Sequence, residues 1–146
     1  MFTASASVTI EQPIDQVFAY LIDLEQHLPH WAGGIVAADR TTAEPMGIGS
    51  QFRVVAGGRG PSIVSRYVVT TFEPPTFFGG TAENRVFGFT ERYRLESLGS
   101  ATALRQQTEV RPRGLFRLVE PLMAIGIRRL LASDLARLKS LLEAAR

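Results

Sequence analysis

At 146 residues the chain has the length of one domain with a full hydrophobic core. Hydrophobic residues make up 45% and charged residues 21%, ordinary proportions that exclude a disordered or collagenous chain. A net charge of +2, with acids interleaved among the arginines, argues against a nucleic-acid partner, and zero cysteines exclude disulfides, thiolate chemistry and Cys-based zinc sites.

Met1 to Ser7 show neither the basic nor the apolar stretch of a secretory signal. No run approaches the ~20 apolar residues of a membrane span. The nearest, Leu118 to Leu131, is broken by Glu120, Pro121, Arg128 and Arg129. A cytoplasmic protein without integral membrane association is the expectation.

Phe2 to Ile10, rich in small and β-branched residues, reads as an opening strand. Pro13 suits the first position of a helix, and Ile14, Val17, Phe18, Leu21 and Ile22 follow three-four spacing. Asp23 is positioned to cap a second short helix through Leu24 and His27, ending near Pro29. From Ile35 the period shifts toward two. Strands are predicted at Ile35 to Thr42, Gly49 to Ala56, Ser62 to Phe72, Thr76 to Thr81, Val86 to Leu98 and Ala101 to Val110. Turns rich in Gly and Pro separate them, including Gly57-Gly58-Arg59-Gly60-Pro61 and Glu73-Pro74-Pro75, and such short connections imply antiparallel hairpins.

A long helical pattern follows from Leu115 to Arg146. Its first half is apolar on nearly every side, through Phe116, Val119, Leu122, Met123, Ile125, Ile127 and Leu130. Its second half narrows to one stripe, Leu131, Leu135, Leu138 and Leu142. An apolar-all-round helix is expected to be buried and a striped one to lie at the surface. The helix is therefore expected to start under deep cover and emerge toward solvent. Pro121 either starts the main helix, leaving 115–120 as a separate turn, or kinks it. The architecture is α+β: seven antiparallel strands, two short helices after the first strand, and a long C-terminal helix as the cover the sheet needs.

Four stretches in this order carry a resemblance: Ile10-Glu11-Gln12-Pro13-Ile14-Asp15-Gln16-Val17-Phe18, Pro29-His30-Trp31, Phe72-Glu73-Pro74-Pro75, and Arg111-Pro112-Arg113-Gly114-Leu115-Phe116. Together they resemble the START-like, Bet v 1-like superfamily, also called SRPBCC or polyketide cyclase/dehydrase-like proteins, across residues 1–146. The resemblance implies a helix-grip fold, a sheet wrapped around the C-terminal helix with a cavity between them. It also implies a small hydrophobic molecule as ligand, such as a lipid or polyketide. Members include both binders and cyclase/dehydrase enzymes, and fold alone does not separate them.

Phe87, Phe89, Glu91, Tyr93 and Leu95 alternate on one face of a strand, and Leu104, Gln106, Thr108 and Val110 alternate on the next. Such a face either lines an apolar cavity or packs as plain core. The candidate lining comprises Trp31, Phe52, Val54, Tyr67, Phe87, Phe89, Tyr93, Leu104, Gln106 and Thr108. From the helix it adds Phe116, Val119, Met123, Gly126, Ile127 and Leu130, with Gly126 leaving side-chain volume for a ligand. Glu91, on an apolar face, either works as a general acid or base, lies at the cavity mouth, or pairs with a neighbouring Arg such as Arg66 or Arg53. His30 and Tyr93 are the other catalytic candidates. His27 and His30 lack a third ligand nearby, so no metal is expected, and no cofactor either. Three readings stay open: a ligand-binding module, a cyclase/dehydrase-type enzyme, and an interaction or regulatory domain. A homodimer is compatible with all three.

Overall fold

The computed structural model describes residues 1–43, 45–58 and 60–145. Its elements run β1 (Phe2–Ile10), α1 (Ile14–Ile22), α2 (Leu24–Trp31), β2 (Ile35–Arg40), β3 (Gln51–Gly58), β4 (Gly60–Glu73), β5 (Phe77–Glu83), β6 (Phe87–Ser97), β7 (Thr102–Pro112) and α3 (Glu120–Ala144). A 3-10 segment, Gly114–Val119, leads into α3. The seven strands form one antiparallel sheet in the order β1-β7-β6-β5-β4-β3-β2. This is the helix-grip fold: β2 to β7 form a meander of hairpins, and β1 closes on β7 at its end.

Strand boundaries follow the hydrophobic alternation to within two residues. Arg59, at the tip of the predicted β3–β4 turn, and Arg146, at the end of the predicted helix, lie outside the described residues. Two helix readings change. α2 does not stop near Pro29 but runs to Trp31. Proline removes the single backbone donor to Glu25, whereas the helix closes beyond it through the Ala32 N–H to the Leu28 carbonyl at 3.0 Å. Asp23 holds the N-cap position of α2, yet its side chain makes no capping bond.

The larger correction concerns the C-terminal segment. Its apolar-all-round half is the exposed half: Leu115 is 82% exposed, Leu118 79% and Leu122 71%. The Leu131, Leu135, Leu138 and Leu142 stripe is fully in the core. Its spacing of four, three, four keeps one line of side chains on the sheet for three turns, whereas the leucines upstream point in too many directions for one sheet to cover. Pro121 falls at the start of α3, where its missing N–H needs no partner, and 114–119 is the separate turn.

Polar bonds tie α3 to its neighbours. The Gln12 amide donates to the Leu142 carbonyl at 2.9 Å, and Lys139 Nζ donates to the Thr9 carbonyl at 2.5 Å. Asp134 Oδ1 accepts from the Gly33 N–H at 2.9 Å, and Arg137 donates to the Trp31 carbonyl at 2.9 Å. These last two fix the end of α2 over the helix. No described helix is long and apolar enough to cross a membrane.

Candidate functional site

A cavity of about 390 Å³ lies between the inner face of the sheet, α2 and the middle of α3. That volume sits within the roughly 300–1,000 Å³ range of small-molecule sites. Its walls are built by alternation. Phe87, Phe89, Glu91 and Tyr93 of β6 face inward together, as do Gln106, Thr108 and Val110 of β7. Val54, Ala56, Ile63, Ser65 and Tyr67 continue the wall through β3 and β4, and Met123, Ile127, Leu130 and Leu131 close it from α3.

One end is polar. Glu91 and Tyr93 on β6 stand directly opposite Thr108 and Gln106 on β7. Tyr67 reaches them from β4 by crossing β5 at Gly80, the residue paired with Glu91. A Cβ on Gly80 would come within 2.5 Å of Tyr67 Cζ, so only glycine leaves the ring its path. The Tyr67 hydroxyl donates to Glu91 Oε1 at 2.9 Å, and the Tyr93 hydroxyl donates to Glu91 Oε2 at 3.3 Å. Gln106 Nε2 donates to the Tyr93 hydroxyl at 3.0 Å and to Glu91 Oε2 at 3.5 Å. Trp31 stands edge-on to Tyr93, with ring centroids 6.3 Å apart.

Burial pushes the Glu91 carboxyl up to about 7, and the three donated bonds hold it from going higher. Among the described residues it makes no ion pair; Arg66, one partner considered from sequence, lies on the outer face and bonds Gln51 instead. Burial and the neighbouring Glu91 charge raise both tyrosine hydroxyls well above their usual value, so they remain donors. Asp134, at the α3 wall, is also raised by burial, opposed by the Gly33 N–H and the Arg137 charge.

Three polar atoms of this site have no hydrogen-bond partner among the described residues: Trp31 Nε1, Gln106 Oε1 and Thr108 Oγ1. Their residues are 2%, 4% and 6% exposed. A buried donor or acceptor left unpaired costs about 1–3 kcal/mol. All three belong to cavity-lining side chains grouped around Tyr93 and Glu91.

Of the residues predicted from sequence, the structure gathers Trp31, Val54, Tyr67, Phe87, Phe89, Glu91, Tyr93, Gln106, Thr108, Met123, Ile127 and Leu130 around one cavity. Six it does not. Phe52 packs edge-on against Tyr67 within the core, and Leu104 is core as well. Phe116 and Val119 belong to the exposed 3-10 segment, 42% and 43% exposed. Gly126 faces open space, with nothing within 4 Å of an added Cβ, so it leaves no volume for a ligand. His30 is exposed at the end of α2, and His27 is stacked on Tyr20 at 3.8 Å. Among the described residues no three His, Cys, Asp or Glu side chains gather as a metal site.

Sequence reading missed Asp134, Leu24 and Leu28, all of which line the cavity. The four-residue spacing of Leu24 and Leu28 marks one face of α2 without saying what that face meets. Asp134 sits one residue before Leu135 of the buried stripe, a position that could have drawn notice.

The description of the family model matching residues 1–143 is polyketide cyclase / dehydrase and lipid transport. No curated protein is significantly similar in sequence. Among solved structures, TTHA0849 from Thermus thermophilus is similar at 17% identity and a TM-score of 0.79, covering 99% of each chain. The ZhuI aromatase/cyclase from Streptomyces sp. R1128 is similar at 14% identity and a TM-score of 0.79, covering 97% of this chain and 93% of its own. A START superfamily protein from Mycobacterium smegmatis shares 20% identity at a TM-score of 0.72, covering 98% and 95%. At these identities the structural likeness is one of fold.

Proposed function

The chain belongs to the polyketide cyclase / dehydrase and lipid transport family, and from that premise we propose that it binds a small hydrophobic molecule between the sheet and α3. The observation that carries this reading is the cavity of about 390 Å³, lined mainly by apolar side chains and closed by α3. A core packed only for stability leaves few voids larger than a water molecule. A cytoplasmic location, with which a chain of zero cysteines is compatible, belongs to the same reading.

Native mass spectrometry of freshly purified protein tests it. The expected result is a mass above the bare 16.0 kDa chain that disappears on extraction with organic solvent. A bare-chain mass, together with no uptake of the neutral dye Nile red, would refute the reading.

A second reading, a cyclase/dehydrase-type enzyme, is favoured by the Tyr67–Glu91–Tyr93–Gln106 cluster. A carboxyl titrating near neutrality exchanges protons in both directions, which cyclisation and dehydration require. In this reading Glu91 is the acid/base, and Tyr67 and Tyr93 hold its charge and orientation. NMR titration of the Glu91 side-chain carboxyl carbon decides: a midpoint near the ordinary 4.5 removes the argument.

A further inference from the structure

Resting on the binding reading above, we infer that the cavity selects an uncharged molecule whose polar head both accepts and donates a hydrogen bond, and that it rejects fatty acids and other anions. The head sits against Trp31, Gln106 and Thr108; the apolar body extends along Phe87, Phe89 and Ile127.

The first part of the argument is charge. Among the described residues, the ionisable acids lining the cavity are Glu91 and Asp134, with the phenols of Tyr67 and Tyr93, and no Lys, Arg or His lines it. Arg137 pairs with Asp134 at 3.5 Å and also donates to the Trp31 carbonyl, so its charge is committed there. A carboxylate or phosphate head would enter a mainly apolar space already holding one or two negative charges, with no counter-charge among the described residues that line it. Repulsion is strong at such a site because little water screens it.

Hydrogen bonding supplies the second part. Glu91 already accepts from Tyr67, Tyr93 and Gln106, so its charge is stabilised by neutral donors without a ligand cation. What remains unpaired at the site, among the described residues, is one donor, Trp31 Nε1, one acceptor, Gln106 Oε1, and one hydroxyl able to do either, Thr108 Oγ1. A hydroxyl, enol or hydroxyketone meets all of these; an ether or an ester lacks the donor that Gln106 Oε1 requires. Apolar molecules without a polar head leave all three unmet.

The test uses four ligands sharing one chain length: decanol, decyl methyl ether, decanoate and decylammonium, titrated at about pH 8, where ordinary carboxylic acids are ionised. Trp31 is the only tryptophan, so its fluorescence reports on the cavity wall directly, and calorimetry gives an independent affinity. Decanol is expected to bind best, decanoate weaker by on the order of tenfold or more, and the ether weaker by several-fold. Glu91→Gln, which removes the carboxyl charge, is expected to narrow the gap between decanol and decanoate by several-fold. Decanoate or decylammonium binding as well as decanol overturns the inference, as does an ether equal to the alcohol, because then charge or the unpaired acceptor is not what selects. If Nile red binds but the four ligands show no ranking, this inference fails and the binding reading stands. If neither Nile red nor any of the four binds, both fall.

Discussion

The two halves of the C-terminal segment both carry several leucines and have opposite fates. Residues 131–142 place four leucines along one line, and all four are buried, Leu131 at the cavity wall and Leu135, Leu138 and Leu142 in the core. Residues 114–130 scatter apolar side chains around the axis; Met123 and Ile127 line the cavity, while Leu118 and Leu122 face outward. Apolar content alone does not bury a helix. Burial requires that the apolar side chains point at something, and one sheet offers one direction. The second half therefore holds the fold together, and the inner side of the first half is left to shape a ligand space.

Substitutions along this division should separate stability from binding. The largest stability effect is expected for Leu138→Ala, at a position with 0% exposure. Truncation there should cost about 2–5 kcal/mol in denaturant unfolding without changing probe affinity in the folded fraction. A loss under 1 kcal/mol would break the assignment of this half to stability. Next comes Glu91, behind the cavity formed by the first half. Its folded value of about 7 exceeds the ordinary 4.5, so the native state holds a proton that the unfolded chain releases between those values. Stability is then highest below 4.5 for this group and falls as pH rises to 7, by on the order of 3 kcal/mol. Asp134, also raised, adds to the fall in the same direction. Melting curves across this window should show the slope in the parent and lose most of it in Glu91→Gln; an unchanged slope would assign it elsewhere.

Ile127→Trp should fill the cavity from the helix side and weaken Nile red binding by about tenfold, with stability altered by less than in Leu138→Ala. Gly126, one residue away, serves as the control. Because an added Cβ there meets nothing, Gly126→Ala should leave binding intact and stabilise the helix by up to about 1 kcal/mol. Leu118→Ser should do least, within about 0.5 kcal/mol, since the side chain is 79% exposed. A marked loss of stability at Leu118 would mean that this apolar face is covered in solution.

Much of the site was legible because a strand's period of two assigns faces without knowledge of the partner. Phe87, Phe89, Glu91 and Tyr93 share a face in any antiparallel sheet, and so do Gln106 and Thr108. Tyr67 was different. Its strand is bulky on both sides, and its inward direction follows from pairing with β3 and β5. The helix candidates split, with Met123, Ile127 and Leu130 on the cavity and Phe116, Val119 and Gly126 away from it. A helical sequence repeats its faces every 3.6 residues but does not say which face meets the sheet.

The sequence by itself determined the element order, the antiparallel meander, the Leu131 to Leu142 seam and the two polar-bearing strand faces, because these depend on local period and turn chemistry. Tertiary structure alone decided that Gly80 opens a path for Tyr67, that Glu91 meets two tyrosines instead of an arginine, and that the apolar-rich helix start faces solvent. The path of Tyr67 past Gly80 to Glu91, 24 positions away, depends on how three strands meet, and no periodicity along a chain encodes that register.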